Sequence, residues 1–181
     1  MQRISKGEFS RQRAHRLLVA VPAVALLLLA TAGCEPKDRR PGTWLSGSEA
    51  VGPIGDWSFV NEQMEVFVET RPWYGIPHSV TTVIASKNGK VFVPSIYEAP
   101  AEFPGSKYWN RIIAEDPSVR VKIGDTRYEM EALPAADPQE FEEGFSALAE
   151  KYDFWRNIYN DSDDQTPFVI IRMHPRTSPR S

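Results

Sequence analysis

The stretch that decides the fold is Ser79-Val-Thr-Thr-Val-Ile-Ala-Ser86, followed by Lys87-Asn-Gly-Lys90 and Val91-Phe-Val-Pro-Ser-Ile-Tyr97. Two runs rich in β-branched residues flank an Asn-Gly pair, and both turn residues tolerate the positive φ that a type I′ hairpin requires. Proline has no backbone N–H, so Pro94 cannot donate a ladder hydrogen bond. The sequence therefore predicts a hairpin whose second strand is bulged or lies at an edge near residue 94.

Further strands are predicted on both sides of this hairpin. Residues 64–69 alternate apolar and less apolar side chains with a period of two. Residues 118–123 and 127–132 flank Gly124-Asp125 as a second hairpin. Residues 166–174 have a continuous apolar centre, which implies that both faces of this last strand are buried.

Two helices are predicted between the strands. Residues 106–115 have an amphipathic pattern that stops before Pro117. Asp137 is the predicted N-cap of a second helix, with Pro138 at its first position and a reciprocal Glu140. That helix extends to an aromatic end at Phe154-Trp155. The order of elements predicts a β-rich α+β fold, in which antiparallel hairpins close into a barrel and helices pack against it.

The N-terminus has the layout of an export signal. A basic stretch is followed by fourteen uncharged residues, 17–30, and then by Ala32-Gly33-Cys34. Small residues before the sole cysteine resemble the lipobox of bacterial lipoproteins, in which this cysteine carries acyl chains such as palmitate. The alternative is an uncleaved anchor with an incidental cysteine. Both alternatives attach the protein to a membrane of the bacterial cell envelope, facing outward from the cytoplasm.

The predicted chain organisation has four parts. Residues 1–33 are the signal peptide, residues 34–55 a lipidated tether, residues 56–176 one folded domain, and residues 177–181 a disordered tail. Glu35 follows the cysteine in place of the Asp that resembles an inner-membrane retention signal, so in a two-membrane bacterium the outer membrane is favoured.

Charge and motifs exclude several function classes. Residues 34–181 hold 16 Lys and Arg against 23 Asp and Glu, a net charge of −7 that disfavours nucleic acid as a partner. Only His78 and His174 remain in the exported part, so no metal site is predicted. The acidic residues 160–164 lack the Gly and Glu of a calcium loop. No serine-hydrolase, P-loop or dinucleotide-binding motif is present.

Two clusters of polar and aromatic residues remain, at positions 73–79 and 107–111, and the second is part of a resemblance to a known family. The helix start Tyr108-Trp-Asn-Arg-Ile112, the following Asp116-Pro-Ser-Val-Arg-Val121 and the Asn-Gly hairpin agree in order and spacing with the split-barrel flavin-binding superfamily, especially its deazaflavin-dependent nitroreductase-like branch. The resemblance spans residues 69–172, approximately. It implies an antiparallel split β-barrel of about six strands with two packed helices, and a homodimer with the pocket at the subunit interface.

The resemblance also implies a site for FMN or a deazaflavin. The candidate cofactor-binding residues are Trp73, Gly75, Ser79, Ser95, Lys107, Tyr108, Trp109 and Arg111, and the candidate catalytic acids are Tyr74 and His78. The chain departs from the branch in its first loop, where Trp73, Tyr74, Ile76 and His78 replace Lys, Ser, Arg and Arg. Phosphate needs charge-assisted donors, so weak phosphate binding is expected unless Lys107, Arg111 or Arg71 supplies the charge.

Two functions stay open on the sequence. The first is an oxidoreductase in which a reduced flavin or deazaflavin transfers hydride to a small electrophile, while the protein supplies orientation and one acid. The second is a non-catalytic envelope lipoprotein that keeps the barrel as a ligand- or protein-binding module.

Overall fold

The computed structural model describes residues 42–97, 102–105 and 107–176. The predicted signal peptide, Cys34 and the predicted tail at residues 177–181 lie outside the described residues. The elements in chain order are β1 (Ser48–Glu49), a 3₁₀ helix (Ser58–Glu62), β2 (Val66–Thr70), β3 (His78–Thr82), β4 (Ala85–Lys87), β5 (Lys90–Ile96), α1 (Tyr108–Glu115), β6 (Ser118–Ile123), β7 (Thr126–Pro134), α2 (Pro138–Lys151), α3 (Asp153–Asn160) and β8 (Phe168–Pro175).

The strands form one curled sheet in the order β3-β2-β6-β7-β8-β5-β4, with antiparallel neighbours throughout, and the short β1 runs parallel to the start of β7. Only Val83 and Ile84 separate β3 from β4, and these two strands pair with β2 and β5, respectively. The bent strand 78–87 therefore brings the two edges of the sheet together. Counted as one strand, it completes a six-stranded antiparallel barrel.

The barrel is incomplete beside Pro94. The carbonyl of Ile170, opposite Pro94 in β8, accepts a hydrogen bond from the N–H of Ala135, which directly follows β7, so the backbone of Pro94 faces β3 instead. Pro94 has no N–H to donate there, and the β4–β5 pairing ends at Phe92. The Thr82 hydroxyl donates to the Pro94 carbonyl at 3.2 Å across the gap. The fold is a split β-barrel.

Two apolar layers pack on opposite faces of β5 and β8. Val93 and Ile171 lie in the barrel interior, whereas Phe92 and Ile170 lie in a second cluster beneath α2 and α3. All four side chains are fully buried. This confirms the predicted burial of both faces of the last strand, and each such side chain contributes about 1.5–3 kcal/mol of transfer free energy.

The second predicted helix begins where expected. Asp137 accepts hydrogen bonds from the backbone N–H groups of Gln139 and Glu140 at 2.9 and 3.0 Å, and Pro138 occupies the first turn. The Glu140 carboxylate lies 3.4 Å from the Arg172 guanidinium, so it pairs with β8 in place of the predicted reciprocal cap.

The predicted single helix to Trp155 is wrong, because the chain breaks at Tyr152. This residue is extended (φ −123°, ψ 128°) and separates α2 from α3, which makes three helices in place of two. Its hydroxyl lies 2.9 Å from the Ile84 carbonyl and 3.0 Å from that of Met64. The ammonium of Lys151 donates to the carbonyls of Val60, Gln63 and Ile84. These tertiary bonds hold the helix break against the bend between β3 and β4.

Residues 42–50, inside the predicted tether, lie against the barrel. Gly42 pairs with Ser79 at the start of β3, and β1 pairs with β7. Leu45 is buried and its N–H donates to Glu69 at 2.6 Å. Glu69, which alternates with the apolar residues of its strand, is buried and also faces Arg120 at 3.4 Å. This part of residues 34–55 therefore belongs to the folded body.

Candidate functional site

A cleft of about 550 Å³ opens at the split between β3 and β5. Residues 80–83 form one side, residues 94–96 the other, and the start of α1 and the start of α3 complete it. The lining residues are Val80, Thr81, Thr82, Val83, Pro94, Ser95, Ile96, Lys107, Trp109, Tyr152, Phe154 and Trp155. The walls are mainly aliphatic and aromatic, which is the usual character of a small-molecule site.

Two hydroxyl groups in this lining have no hydrogen-bond partner. They are Thr81 Oγ1 and Ser95 Oγ, and both atoms are buried. A buried polar group without a partner costs about 1–3 kcal/mol, so native structures usually satisfy it with protein, water or ligand. The apolar lining thus includes two residues, Thr81 and Ser95, whose buried hydroxyl groups are unsatisfied.

Lys107 is the cationic residue among the cleft-lining residues that the structure describes. It is exposed and directly precedes the first turn of α1. Arg111, one turn further along α1, does not line the cleft, and its guanidinium lies 5.6 Å from the centre of the Tyr108 ring. Of the three cations that could replace the family's phosphate ligands, Lys107 therefore reaches the cleft.

A second constellation, which we call the tyrosine cluster, consists of Trp73, Tyr74, His78 and Tyr108. The Tyr74 hydroxyl lies 2.5 Å from Nε2 of His78 and 2.8 Å from the Tyr108 hydroxyl. The rings of Trp73 and Tyr74, of Tyr74 and His78, and of His78 and Tyr108 meet edge to face with centroids 5.5–5.7 Å apart. The loop between β2 and β3 and the first residue of α1 thus meet through side chains.

The hydrogen bond to Tyr108 raises the pKa of Tyr74, and desolvation adds to the effect. The raised pKa keeps the Tyr74 hydroxyl protonated at neutral pH and makes it a weaker acid than a free tyrosine. Its side chain is 39% exposed, which lets a small molecule approach the hydroxyl from solvent. Chemically the tyrosine cluster is a surface acid with a neighbouring imidazole.

The predicted site residues fall into two groups on either side of the first turn of α1. Ser95, Lys107 and Trp109 line the cleft, whereas the tyrosine cluster does not. Gly75 adopts φ +79°, which explains a glycine in this loop. Ser79 is buried, and its hydroxyl accepts a hydrogen bond from the N–H of Gly42 at 3.2 Å, which is a structural role.

Sequence reasoning missed the cleft residues Thr81, Phe154 and Trp155. Thr81 lies in the middle of the strongest strand pattern, where the high β-propensity of threonine is enough to explain the residue. Phe154 and Trp155 appeared to continue the packing face of one long helix. The sequence holds no signal for the second case, because Trp155 continues the helical spacing of Leu148 and Tyr152.

Within residues 42–97, 102–105 and 107–176, no group of three or more His, Cys, Asp or Glu side chains comes together as a metal site. No helix in the same part of the chain has the length and apolar character needed to cross a bilayer.

The sequence matches no family model and no curated protein. Similarity is found among solved structures. The conserved protein Rv2991 of Mycobacterium tuberculosis has 18% identity and a TM-score of 0.48, covering 65% of this chain and 76% of its own. The heme storage protein HutZ of Vibrio cholerae has 12% identity and a TM-score of 0.47, covering 66% and 87%.

An F420-H2 dependent reductase, FDR-A, has 18% identity and a TM-score of 0.44, covering 60% of this chain and 93% of its own. Identities and TM-scores of this size are likenesses in fold. The ligands and activities named for these proteins remain theirs, and the function of this chain has to be argued from its own cleft and tyrosine cluster.

Proposed function

We propose that this protein is an exported, lipid-anchored split-barrel protein whose cleft binds a planar heterocyclic molecule. The observation that carries the proposal is the pair of partnerless hydroxyls, Thr81 and Ser95, in an apolar cleft of about 550 Å³. A flat ring with carbonyl or imine acceptors at its edge satisfies both hydroxyls while its faces contact the aromatic walls.

The cleft fits the ring of a flavin better than its phosphate tail. A phosphate needs several charge-assisted donors, and Lys107 is the cation that the described lining offers. The loop positions expected to hold Lys and Arg carry Trp73, Ile76 and His78 instead, and none of the three lines the cleft. FMN and a deazaflavin with its charged tail therefore fit poorly, and the proposal is limited to the ring.

The test is a titration of the full-length protein in detergent with riboflavin and with FMN, followed by flavin fluorescence. We expect riboflavin to bind at micromolar concentration and FMN to bind no more tightly. Loss of one hydrogen bond in Ser95→Ala should weaken riboflavin about 2- to 10-fold. Ser146→Ala, on α2 outside the cleft, should change nothing. Failure of riboflavin to bind refutes the proposal. Binding of FMN much more tightly than riboflavin refutes the inference that the cleft lacks the cations needed to hold a phosphate.

A reductase is the second candidate function, and the tyrosine cluster favours it. The Tyr74 hydroxyl lies 2.5 Å from Nε2 of His78, and the side chain is partly exposed, so it can protonate a reduced substrate. With reduced riboflavin as the hydride donor, exchange of Trp73 and His78 together should abolish reduction of a small nitro compound and leave riboflavin binding intact. Undiminished reduction by this double variant refutes the role of the tyrosine cluster. Absence of reduction by the wild-type protein as well argues for the alternative, a non-catalytic module that binds a ligand or an envelope partner.

The export and anchoring part of the proposal rests on the sequence around Cys34, which lies outside the described residues. Acyl chains on this cysteine hold the body to the outer face of a bacterial membrane, since each buried CH₂ contributes about 0.8 kcal/mol. Palmitate labelling of the wild-type chain and its loss in Cys34→Ala is the expected result. A homodimer, proposed from the split-barrel resemblance, is tested by the mass of the detergent-solubilised protein.

A further inference from the structure

The loop between β2 and β3 exposes apolar side chains to solvent. Trp73 is 91% exposed and Ile76 is 54% exposed, although both belong to residue types that normally bury most of their surface. Tyr74 and Tyr108, beside them, are 39% and 43% exposed. We call these four residues the exposed aromatic surface. An apolar patch of this kind on a protein surface marks an interaction site.

The N-terminal part of the described chain begins next to this surface. Gly42 and Ser79 exchange backbone hydrogen bonds at 3.1 and 2.9 Å, and Ser79 directly follows His78 at the end of the loop. From there the chain runs to the opposite end of the barrel. At that end Ser48 pairs with Thr126, next to the turn at Gly124. The described chain therefore begins at the end of the barrel that carries the exposed aromatic surface.

The length of chain between Cys34 and Gly42 restricts what the surface can face. Gly42 lies eight positions after Cys34, and eight extended residues span at most about 28 Å. A lipid anchor at Cys34 thus keeps Gly42 within that distance of the bilayer. The antiparallel pairing of β2 with β6 puts the turn at Gly124 at the far end of the barrel from the loop. The end that carries the exposed aromatic surface is the one held near the lipid.

We propose that the exposed aromatic surface contacts the bilayer to which Cys34 anchors the chain, with Trp73 and Ile76 inserted among the lipid headgroups. The proposal rests on the lipidation of Cys34. Trp and Tyr favour the membrane–water interface because their rings are amphipathic. Arg71 and Arg111 are exposed close by in sequence, but Glu115 on α1 is exposed as well, so the contact depends on apolar insertion rather than on anionic lipid.

The test uses the full-length protein, in which Cys34 is the sole native cysteine. An environment-sensitive fluorophore is attached to Ile76→Cys and, as a second insertion site, to Trp73→Cys. The matched control is Val51→Cys, because Val51 is an aliphatic residue that is 96% exposed and closely follows β1, which pairs with β7 beside the turn at Gly124. The labelled chains are reconstituted into phosphatidylcholine vesicles with and without a nitroxide-labelled phosphatidylcholine.

We expect a blue-shifted emission at positions 76 and 73 that the nitroxide lipid quenches, and an unshifted, unquenched emission at position 51. Emission at positions 76 and 73 that is as aqueous as at position 51 overturns the proposal. Reactivity of the parent chain toward the fluorophore reports on lipidation separately, since an acylated Cys34 does not react. A reactive Cys34 with quenched position 76 refutes the lipid anchor and supports the membrane surface.

Discussion

Exchange of Gly144 for Ala tests how closely α2 packs on the sheet. A Cβ at this position would lie 2.6 Å from Cγ2 of Ile170 and 2.6 Å from Cδ1 of Phe92. Carbon atoms in contact normally stay about 3.5–4.0 Å apart, so the helix or the sheet has to shift by about 1 Å. Both neighbours are fully buried and belong to the layer that also contains Trp155. The substitution should therefore disturb the cleft wall as well as the core.

The magnitude follows from two opposing effects. Overpacking of a core costs typically about 1–3 kcal/mol, and Ala is favoured over Gly inside a helix by about 1 kcal/mol. Gly144→Ala should lower the free energy of unfolding by up to about 2 kcal/mol, measured by urea denaturation in detergent followed by circular dichroism.

The matched control for this prediction is Gly55→Ala. Nothing lies within 4 Å of a Cβ at Gly55, and its φ is outside the left-handed region. This variant should be neutral or gain up to about 1 kcal/mol through the unfolded chain. A Gly144→Ala protein as stable as the Gly55→Ala protein would refute the close approach of α2 to β5 and β8.

Three other predictions concern charged and polar groups. Burial lowers the pKa of Lys151 to about 8 from an ordinary 10.5, so between pH 8 and 10.5 the unfolded chain binds more protons than the folded chain, and the free energy of unfolding should rise with pH. Lys151→Met should remove this pH dependence in urea titrations. An unchanged pH dependence would show that Lys151 is not its source. Glu69→Gln should cost about 1–3 kcal/mol by weakening a buried acceptor, while exposed Glu65→Gln should have no effect in the same assay. Tyr108→Phe should bring the pKa of Tyr74 back down, as followed by NMR of ring-labelled tyrosine, and an unmoved pKa would show that the hydrogen bond is not its cause.

The hairpin and its irregularity were accessible from the sequence because their causes are local. Asn88 and Gly89 adopt φ 51° and 75°, as an Asn-Gly turn between β-branched runs predicts. The missing donor of Pro94 was read as an edge or bulge, and the structure has an edge there. What the sequence could not show is that this edge faces β3, since that depends on which long-range partner each strand takes.

The errors arose where tertiary bonds override a local pattern. The helical period continues past residue 151, but hydrogen bonds from Tyr152 and Lys151 to distant carbonyls end α2 early. Glu69 alternates as an exposed residue would, yet a segment that reads as a tether covers it and donates to its carboxylate. In the candidate site, Ser95, Lys107 and Trp109 line one cleft, but the sequence could not separate them from the tyrosine cluster, since only Tyr108 lies between the last two in the chain.

The bend at residues 83–84 makes the seam of this barrel different from its other strand contacts. Neighbouring strands elsewhere are joined by backbone ladders, whereas β3 and β5 face each other across the Thr82–Pro94 contact. A small molecule can thus widen the seam by separating one side-chain hydrogen bond, without unzipping any ladder or exposing the barrel interior. Ligand entry is therefore independent of the packing of the core, and a stable protein can still have a flexible entrance to its cleft.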